Sequence, residues 1–399
     1  MLTKIINGKV ITPYRIIDKG ILTIKDGIII GIGQSVEPFC EEDNQAIVIN
    51  AKGNYVSPGF VDIHTHGGGG FDFMDGTPEA FWGAARMHAI HGTTSILPTT
   101  LTSSPEELIQ VITAFKEAKG KKNDGAKLIG LHLEGPYLAK SQAGGQDAQF
   151  IRNPNPDEYN RILNLSDDIR RWTIAPELDG ALELAKILHG KGILASIGHS
   201  DAEYKQVVDA IENGFSHITH LYSAMSGVHR KNAYRYLGII ESAFLIDDLT
   251  VEIIADGSHL PPELIQLIYK VKGPSRIALI TDSLRGAGMP EGESISGSIK
   301  HGQKVIIEDG VAKLSDRSAF AGSVATTDRL VRTVVKKTNI PLNDAINMMS
   351  IVPSRIIGID NKTGSLEIGK DADVLIFDDD IRINMTMIGG KIINRANDI

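Results

Sequence analysis

The stretch from Val56 to Gly76 reads VSPGFVDIHTHGGGGFDFMDG, and it decides how the rest of the chain is interpreted. Its apolar run ends in two histidines, His64 and His66, with one residue between them and four glycines after them. Alternate residues of a β-strand point to the same side, so both imidazoles can face one point. The pattern is typical of a metal site at the end of a barrel strand. An interior pair of histidines before a turning or mobile glycine loop also fits it.

Seven further β-rich runs follow, and segments with helical spacing separate them. The eight runs are GFVDIHTH (59–66), TTSILPTT (93–100), KLIGLHLEG (127–135), RRWTIAPE (170–177), ILASIGHS (193–200), SHITHLYS (216–223), VEIIADGSH (251–259) and RIALITDS (276–283). Residues 202–214 and 261–273 carry apolar residues at helical spacing and end in glycine, as helices often do. Eight alternating units predict an α/β fold, the TIM (β/α)8 barrel.

The two ends of the chain have a different pattern. The segments KIINGKVITP and GILTIKDGIIIGIG place the dipeptides NG and DG between β-branched runs, which predicts hairpins. The segment DADVLIFDDDIRINMTMIGGKIIN near the other end is similar. We therefore predict a discontinuous small β-domain from residues 1–57 and 358–399, and a barrel domain from residues 58–357.

Composition excludes several classes of partner. The 399 residues carry a formal net charge of -8 without a basic cluster, so we expect neither nucleic acid nor an anionic membrane as a partner. No run approaches the roughly 18 apolar residues that span a bilayer, and the first residues lack the pattern of a secretory signal. Cys40 is the only cysteine, so an intrachain disulfide is excluded and a cytoplasmic location is expected.

Ionisable residues end most of the barrel runs, and the carboxyl ends of barrel strands meet at one mouth. The residues at these ends are His66, Glu134, Glu177, His199, His220, His259 and Asp282. Four histidines and two carboxylates form a ligand set that suits Zn, Fe, Mn or Co, and it is large enough for two ions bridged by Glu134. The predicted metal ligands are His64, His66, Glu134, His199, His220 and Asp282.

Asp282 has three open roles: metal ligand, general base and ion-pair partner. Its place at the end of the last barrel run favours the base. A metal ion lowers the pKa of bound water toward about 7. A nearby carboxylate can take a proton from that water and deliver it to a leaving amine.

Several motifs resemble a known superfamily. PGFVDIHTHG (58–67) resembles the first-strand signature of the amidohydrolases, and GSLEIGKDADVLIFD (364–378) resembles their return to a β-sandwich. Within the superfamily, HLEGPYL (132–138), IGHSDAEY (197–204), THLYSAMSG (219–227) and ITDSLRGAG (280–288) are similar to the family of N-acetylglucosamine-6-phosphate deacetylases. The resemblance covers essentially the whole chain in the right order.

The resemblance implies hydrolysis of the acetamide of a 6-phosphorylated amino sugar, two ions held by His64, His66, Glu134, His199 and His220, a catalytic Asp282 and a homodimer. The run RRWTIAPE lacks the lysine that forms a carbamylated bridge in hydantoinases and dihydroorotases, which supports Glu134 as the bridge. The implied substrate-binding residues are Gln146, Ser223, Ala224, Arg230, Lys231, His259, Ala321 and Gly322.

The chain also departs from this family. Gln146 stands where many members have histidine, and Ser223 stands where asparagine is usual. In GVHRKNAYRYLG (227–238), Arg230 and Lys231 remain, but the family's Glu-Pro-Gly is absent, and a solvated helix start is the alternative interpretation. The reaction type is therefore better determined than the sugar. One alternative is an N-acetylgalactosamine-6-phosphate deacetylase, and another is a non-catalytic amidohydrolase-like binding protein, which should have lost ligands.

Overall fold

Five strands precede the barrel. The computed structural model describes residues 1–34, 46–121 and 123–396, so the prediction that rests on Cys40 lies outside the described residues. The strands are β1 (Leu2–Ile11), β2 (Ile16–Lys25), β3 (Ile28–Gly33), β4 (Ile47–Asn50) and β5 (Tyr55–Pro58). The dipeptide Asp26-Gly27 makes the predicted hairpin turn between β2 and β3, with positive φ at both residues. The dipeptide Asn7-Gly8 instead lies in an irregularity within β1, so the hairpin predicted there is wrong.

The first half of the barrel follows with alternating strands and helices. Its elements are β6 (Phe60–Thr65), β7 (Gly67–Gly68), β8 (Phe71–Asp72), α1 (Pro78–Ile90), β9 (Thr93–Thr100), α2 (Pro105–Lys119), β10 (Lys127–Leu128), β11 (Leu131–Glu134), α3 (Pro156–Leu163), β12 (Ile169–Ile174) and α4 (Ala181–Gly190). The glycine run forms a tight turn between β7 and β8, with φ of 63° at Gly69 and 88° at Gly70.

The second half of the barrel includes an additional hairpin, β15–β16. The elements are β13 (Leu194–Ile197), α5 (Tyr204–Glu212), β14 (Phe215–Ile218), β15 (His229–Lys231), β16 (Tyr234–Tyr236), α6 (Ile239–Leu245), β17 (Thr250–Ile253), α7 (Pro262–Lys272) and β18 (Ile277–Leu279). The barrel strands pair in parallel in the order β6, β9, β11, β12, β13, β14, β17 and β18. The chain after β18 returns to β6, where Asp282 N donates to His64 O at 2.9 Å and His66 N donates to Ser283 O at 2.8 Å. The predicted barrel is confirmed.

A four-stranded antiparallel sheet is inserted after the last barrel strand. It consists of β19 (Gly292–Ser296), β20 (Gln303–Glu308), β21 (Val311–Leu314) and β22 (Phe320–Ser323), and the helices α8 (Thr327–Lys337), α9 (Leu342–Met349) and α10 (Ile351–Ile356) follow it. This sheet was not predicted, although Asp309-Gly310 between β-branched runs is a hairpin signal. Within the described parts of the chain, no helix has the length and apolar content that crossing a bilayer requires.

The last strands return to the sheet of the first five. They are β23 (Val374–Phe377), β24 (Ile383–Ile388) and β25 (Lys391–Arg395), and β23 pairs antiparallel with β5. The resulting eight-stranded sheet encloses its own apolar core, which is separate from the barrel core. Both termini thus build one β-sandwich beside the barrel, as predicted. The division at residues 57 and 358 stays a prediction.

Capping residues and charges mark the ends of the barrel helices, as α2 illustrates. At the start of α2, the Ser104 side chain accepts a hydrogen bond from Glu107 N, and Pro105 occupies the first turn. Lys116 and Lys119 lie in its last turn, where positive charge favours the helix dipole. Such local signals determine where a helix between two barrel strands begins and ends.

A cluster of charges joins the terminal sheet to the barrel. Lys127 Nζ, at the start of β10, lies 2.6 Å from Asp371 Oδ2 and 2.9 Å from Asp373 Oδ1. Asp373 also accepts hydrogen bonds from the Thr363 hydroxyl and Gly389 N. The Asp373 side chain is only 1% exposed, whereas that of Asp371 is 35% exposed. The buried carboxylate therefore carries most of the energy of this junction.

We expect Asp373→Asn to lower the free energy of unfolding by about 3 kcal/mol, because it leaves the partly buried Lys127 without its main counter-charge. Asp371→Asn is the matched control and should cost less than about 1 kcal/mol, because that carboxylate stays hydrated. Urea unfolding followed by circular dichroism measures both. Equal effects of the two variants would contradict this division of energy.

Candidate metal centre and cavity

The barrel strands end one or more residues before several of the ionisable residues that were predicted at their ends. His199, His220 and Asp282 follow β13, β14 and β18 in loops, with φ values of 47°, 26° and 48°. Positive φ is strained for residues other than glycine and is concentrated at functional sites. Turns beyond the strand ends, rather than the alternation of the strands, therefore place these three side chains.

His64, His66 and Glu134 form the first group of candidate metal ligands, with ligand atoms within 4.8 Å of one another. His64 Nε2 lies 3.3 Å from Glu134 Oε1, and His66 Nε2 lies 3.3 Å from Glu134 Oε2. Asp282 completes this side, because its Oδ1 lies 3.0 Å from His66 Nε2 and 3.4 Å from His64 Nε2.

Glu134, His199 and His220 form the second group. Glu134 Oε1 lies 3.4 Å from His199 Nε2 and 3.1 Å from His220 Nε2. The two Nε2 atoms are 3.1 Å apart. The structure therefore brings together all six predicted ligands, and Glu134 is shared by both groups.

The outer ring nitrogens of three histidines have hydrogen-bond partners that fix their orientation. His64 Nδ1 lies 2.6 Å from Glu252 Oε1, His66 Nδ1 lies 3.2 Å from Thr99 O, and His199 Nδ1 lies 2.8 Å from Gln142 O. In each case Nδ1 donates and Nε2 is left with a lone pair that faces the cluster.

His64 Nε2 gives a direct test of whether a metal ion fits. This atom is buried and has no hydrogen-bond partner of good geometry. An unpartnered buried nitrogen is costly, and a metal ion on the carboxylate side would satisfy it. Histidine nitrogens with carboxylate oxygens are also the ligands that divalent first-row ions take. The residues present therefore fit divalent metal ions.

The charges of the cluster lead to the same conclusion. Burial alone would raise the pKa of Glu134, but His64, His199 and His220 hold it well below its usual range. Burial likewise opposes the charge on His66, yet Asp282 and Glu134 raise the pKa of this imidazole to about 9. Positive charge beside these buried carboxylates can come from protonated imidazoles or from metal ions, and only metal ions leave each Nε2 with the lone pair that a ligand needs.

A cavity of about 500 Å³ opens above the cluster. Six of the eight predicted substrate-binding residues line it: Gln146, Ser223, Ala224, His259, Ala321 and Gly322. The last two come from the inserted sheet, which thereby forms one wall. Ser141, Gln142 and Phe320 also line the cavity and were not predicted, because they lie in the connection after β11 and on the insertion. Tyr222 and Ile254 line it too and were not singled out, although they fall within predicted barrel runs. The volume is in the range of small-molecule sites.

Two polar contacts define the walls of this cavity. Gln146 Nε2 donates to Glu134 Oε2 at 2.7 Å, while its Oε1 accepts from Thr102 N at 2.7 Å. His259 Nδ1 lies 2.8 Å from Asp256 Oδ2, which fixes that ring at the cavity wall. Gln146 therefore contacts the shared ligand directly, a position that the sequence did not indicate.

Arg230 and Lys231 do not reach the cavity in this chain. They lie in the exposed hairpin β15–β16, so the alternative of a helix start is wrong. Within the described part of the chain, no lysine or arginine lines the cavity. The predicted strand-end residue Glu177 also lies outside it. Its carboxylate accepts from the Ser200 hydroxyl and Asp201 N, both at 2.6 Å, and so holds the loop of His199.

A buried Arg171–Glu252 pair beneath His64 was also missed by the sequence analysis. The signal that could have found it is a charged residue inside each of the runs RRWTIAPE and VEIIADGSH, at positions where barrel strands are otherwise apolar.

The sequence profile of the amidohydrolase family matches residues 55–393, which include both ligand groups. The chain belongs to the amidohydrolase family. This result confirms the predicted class of a metal-dependent hydrolytic enzyme.

Individual relatives match over almost the whole chain. The N-acetylglucosamine-6-phosphate deacetylase of Bacillus subtilis is 34% identical over 390 residues, covering 96% of this chain and 95% of that protein. The N-acetylgalactosamine-6-phosphate deacetylase of Escherichia coli is 29% identical and covers 96% and 97%. A mutant N-acetyl-D-glucosamine-6-phosphate deacetylase of Mycobacterium smegmatis, solved in complex with N-acetyl-D-glucosamine-6-phosphate, has a TM-score of 0.88 at 30% identity over 99% of both chains. The predicted resemblance is confirmed.

If each ligand group holds one divalent ion, we expect His64→Ala and His199→Ala each to lose the ion of its own group while keeping the other, because each removes a ligand from one group only. Inductively coupled plasma mass spectrometry after dialysis measures the metal content. His189→Ala, an exposed histidine at the end of α4, is the control and should retain the wild-type content. Full metal content in either ligand variant would contradict the assignment.

Proposed function

We propose that this amidohydrolase hydrolyses the acetamide of N-acetylglucosamine 6-phosphate to glucosamine 6-phosphate and acetate, as a step of amino-sugar catabolism. The observation that carries the proposal is the complete ligand set around Glu134 at the base of a cavity of about 500 Å³. Relatives that match over almost the whole chain are named as deacetylases of N-acetylglucosamine 6-phosphate or N-acetylgalactosamine 6-phosphate. A non-catalytic binding protein would not need six intact ligands.

We infer two divalent ions, drawn from Zn, Fe, Mn and Co. His64, His66 and Asp282 would hold one, His199 and His220 the other, and Glu134 would contribute an oxygen to each. When bound, such ions supply Lewis acidity to a carbonyl oxygen and lower the pKa of water.

Asp282 is the proposed general base and acid. Burial alone would raise the pKa of Asp282, but the charge of His64 and the hydrogen bond to His66 lower it, so the carboxylate is anionic and able to accept a proton. It lines the cavity beside both histidines. It would take a proton from the attacking water and pass it to the sugar nitrogen as the C–N bond breaks, leaving amine and acetate.

The remaining lining residues would hold the sugar. Ser223 offers a hydroxyl, and the backbone at Ala224, Ala321 and Gly322 offers further polar groups along the cavity wall. His259, fixed by Asp256, presents its other ring nitrogen as a donor or acceptor.

The substrate phosphate needs a cation that the described residues around the cavity do not provide. We propose that the chain is a homodimer and that Arg230 and Lys231 of one subunit serve the cavity of the other. Both residues are exposed on the hairpin β15–β16, and arginine binds phosphate in a bidentate manner. A cytoplasmic location is proposed for the same enzyme.

The test is the release of acetate from the 6-phosphates of N-acetylglucosamine and N-acetylgalactosamine by metal-replete protein. We expect turnover of the gluco substrate, loss of activity on chelation, and a fall of at least about 10³-fold in kcat for Asp282→Asn, because the proton carrier is removed. Because asparagine keeps an oxygen that can coordinate at this position, metal analysis of the same variant should find the ions still bound. Absence of release from both sugars, with metal bound, would overturn the proposal.

The galacto sugar is the second candidate, and one observation favours it. Ser223, where the resembled family usually has asparagine, lines the cavity, so the contacts to the sugar differ at this position. A relative of nearly equal length acts on the galacto epimer by name. The preferred sugar in the acetate assay decides between the two.

We expect Arg230→Ala to raise KM for the phosphorylated sugar by about 10-fold or more, because a charge-assisted hydrogen bond to phosphate is lost. KM for unphosphorylated N-acetylglucosamine should not change. Arg235→Ala is the matched control, since Arg235 is also exposed and lies opposite Arg230 in the hairpin. Steady-state kinetics measures KM, and sedimentation measures whether the wild type is a dimer. An unchanged KM in Arg230→Ala, or a monomeric wild type, would contradict the proposed role of Arg230 in the partner's cavity.

A further inference from the structure

A buried ion pair lies beneath the metal cluster, inside a barrel whose interior is normally filled by apolar side chains. Arg171 of β12 and Glu252 of β17 have fully buried side chains, and Arg171 Nη2 lies 2.9 Å from Glu252 Oε1. We propose that Glu252, held by Arg171, is a positioning residue that fixes the His64 ring and so sets the affinity of the ion on the His64 side of the centre. This inference rests on the proposed two-ion centre.

The carboxylate of Glu252 is saturated with donors. Its Oε1 faces His64 Nδ1 at 2.6 Å and accepts from Arg171 Nη2 and from His220 N at 3.1 Å. Its Oε2 accepts from Arg171 Nη1 and faces His217 Nε2 at 3.3 Å. A carboxylate with this many partners has one orientation, and it restricts the orientation of each group that is hydrogen-bonded to it.

Arg171 is equally constrained. Its Nε donates to the Ser196 hydroxyl at 2.9 Å, Nη2 to the Thr219 hydroxyl at 2.9 Å, and Nη1 to Ile63 O at 3.3 Å. Together with the bonds to Glu252, all five N–H groups are used. The guanidinium therefore cannot move aside, and it keeps Glu252 anionic and in place.

The consequence for His64 is a fixed tautomer. An anionic acceptor at 2.6 Å holds the proton on Nδ1, so Nε2 is left with the lone pair that a metal ion needs. That Nε2 is the buried atom without a hydrogen-bond partner, 3.3 Å from Glu134 Oε1 and 3.4 Å from Asp282 Oδ1. A charged acceptor behind an imidazole also makes the imidazole a stronger ligand.

The effect of Glu252 on metal affinity should be confined to the ion on the His64 side of the centre. His66 Nδ1 donates to Thr99 O, and His199 Nδ1 donates to Gln142 O. Both acceptors are neutral backbone oxygens. Among the described ligand histidines, His64 alone has a carboxylate behind its ring. Glu252 reaches the other ligand group only through the backbone nitrogen of His220. A purely structural ion pair would not discriminate between the two ions.

The experiment titrates metal-free protein with Zn²⁺ against a chromophoric chelator, for the wild type and Glu252→Gln. We expect one ion to bind Glu252→Gln as in the wild type and the other to bind 10- to 100-fold more weakly, the usual loss when a group behind a histidine ligand is removed. Asp373→Asn is the matched control, because it removes a buried carboxylate beside a cation without touching a ligand. It should bind both ions as the wild type does.

Arg171→Met with Glu252→Met provides a second variant in which no unpaired charge is left in the barrel. It should show the same selective loss, and its fold is checked by circular dichroism. Unchanged affinities for both ions, or equal weakening of both, would overturn the inference. A wild type that binds two ions but releases no acetate would overturn only the proposed substrate, whereas a wild type that never binds the second ion would overturn both.

Discussion

The carboxylate of Glu134 is the group on which the arrangement of the site depends. It is buried, and ring nitrogens of all four ligand histidines lie within 3.4 Å of its two oxygens. A buried anion must be balanced by nearby positive charge. The surrounding histidines, Gln146 and the ions proposed for them satisfy that requirement, and the barrel brings these side chains there from four separate strand ends or loops.

Strained loops hold His199, His220 and Asp282, and the carboxylates of the half-buried Glu177 and the buried Asp62 support two of these loops. Glu177 anchors the turn that carries His199 in a left-handed conformation. Asp62 accepts from the Thr281 hydroxyl and from Thr281 N and His64 N, so it ties the chain just before Asp282 to the first barrel strand. Polar groups of the barrel interior thus stabilise a geometry that the backbone alone would avoid.

Much of this could be predicted from sequence because its signals are local. The His64-x-His66 pair, the eight β-rich runs and the ionisable residues at their ends predict the barrel and all six ligands, and the structure brings these together. The inserted sheet was missed despite its Asp309-Gly310 turn. Arg171 and Glu252 were missed because a single charged residue inside an apolar run does not reveal which residue it will face.

The sequence by itself determined the fold class and the types of the candidate ligands, since strand periodicity and residue chemistry are properties of short segments, and its resemblance to the amidohydrolases implied the reaction class. Only the tertiary structure decided that Gln146 donates to Glu134 and that Arg230 lies on an exposed hairpin outside the lining of its own chain's cavity. These facts depend on distances between residues far apart in the chain. Barrel closure and left-handed loop turns fix such distances, and no local pattern encodes them.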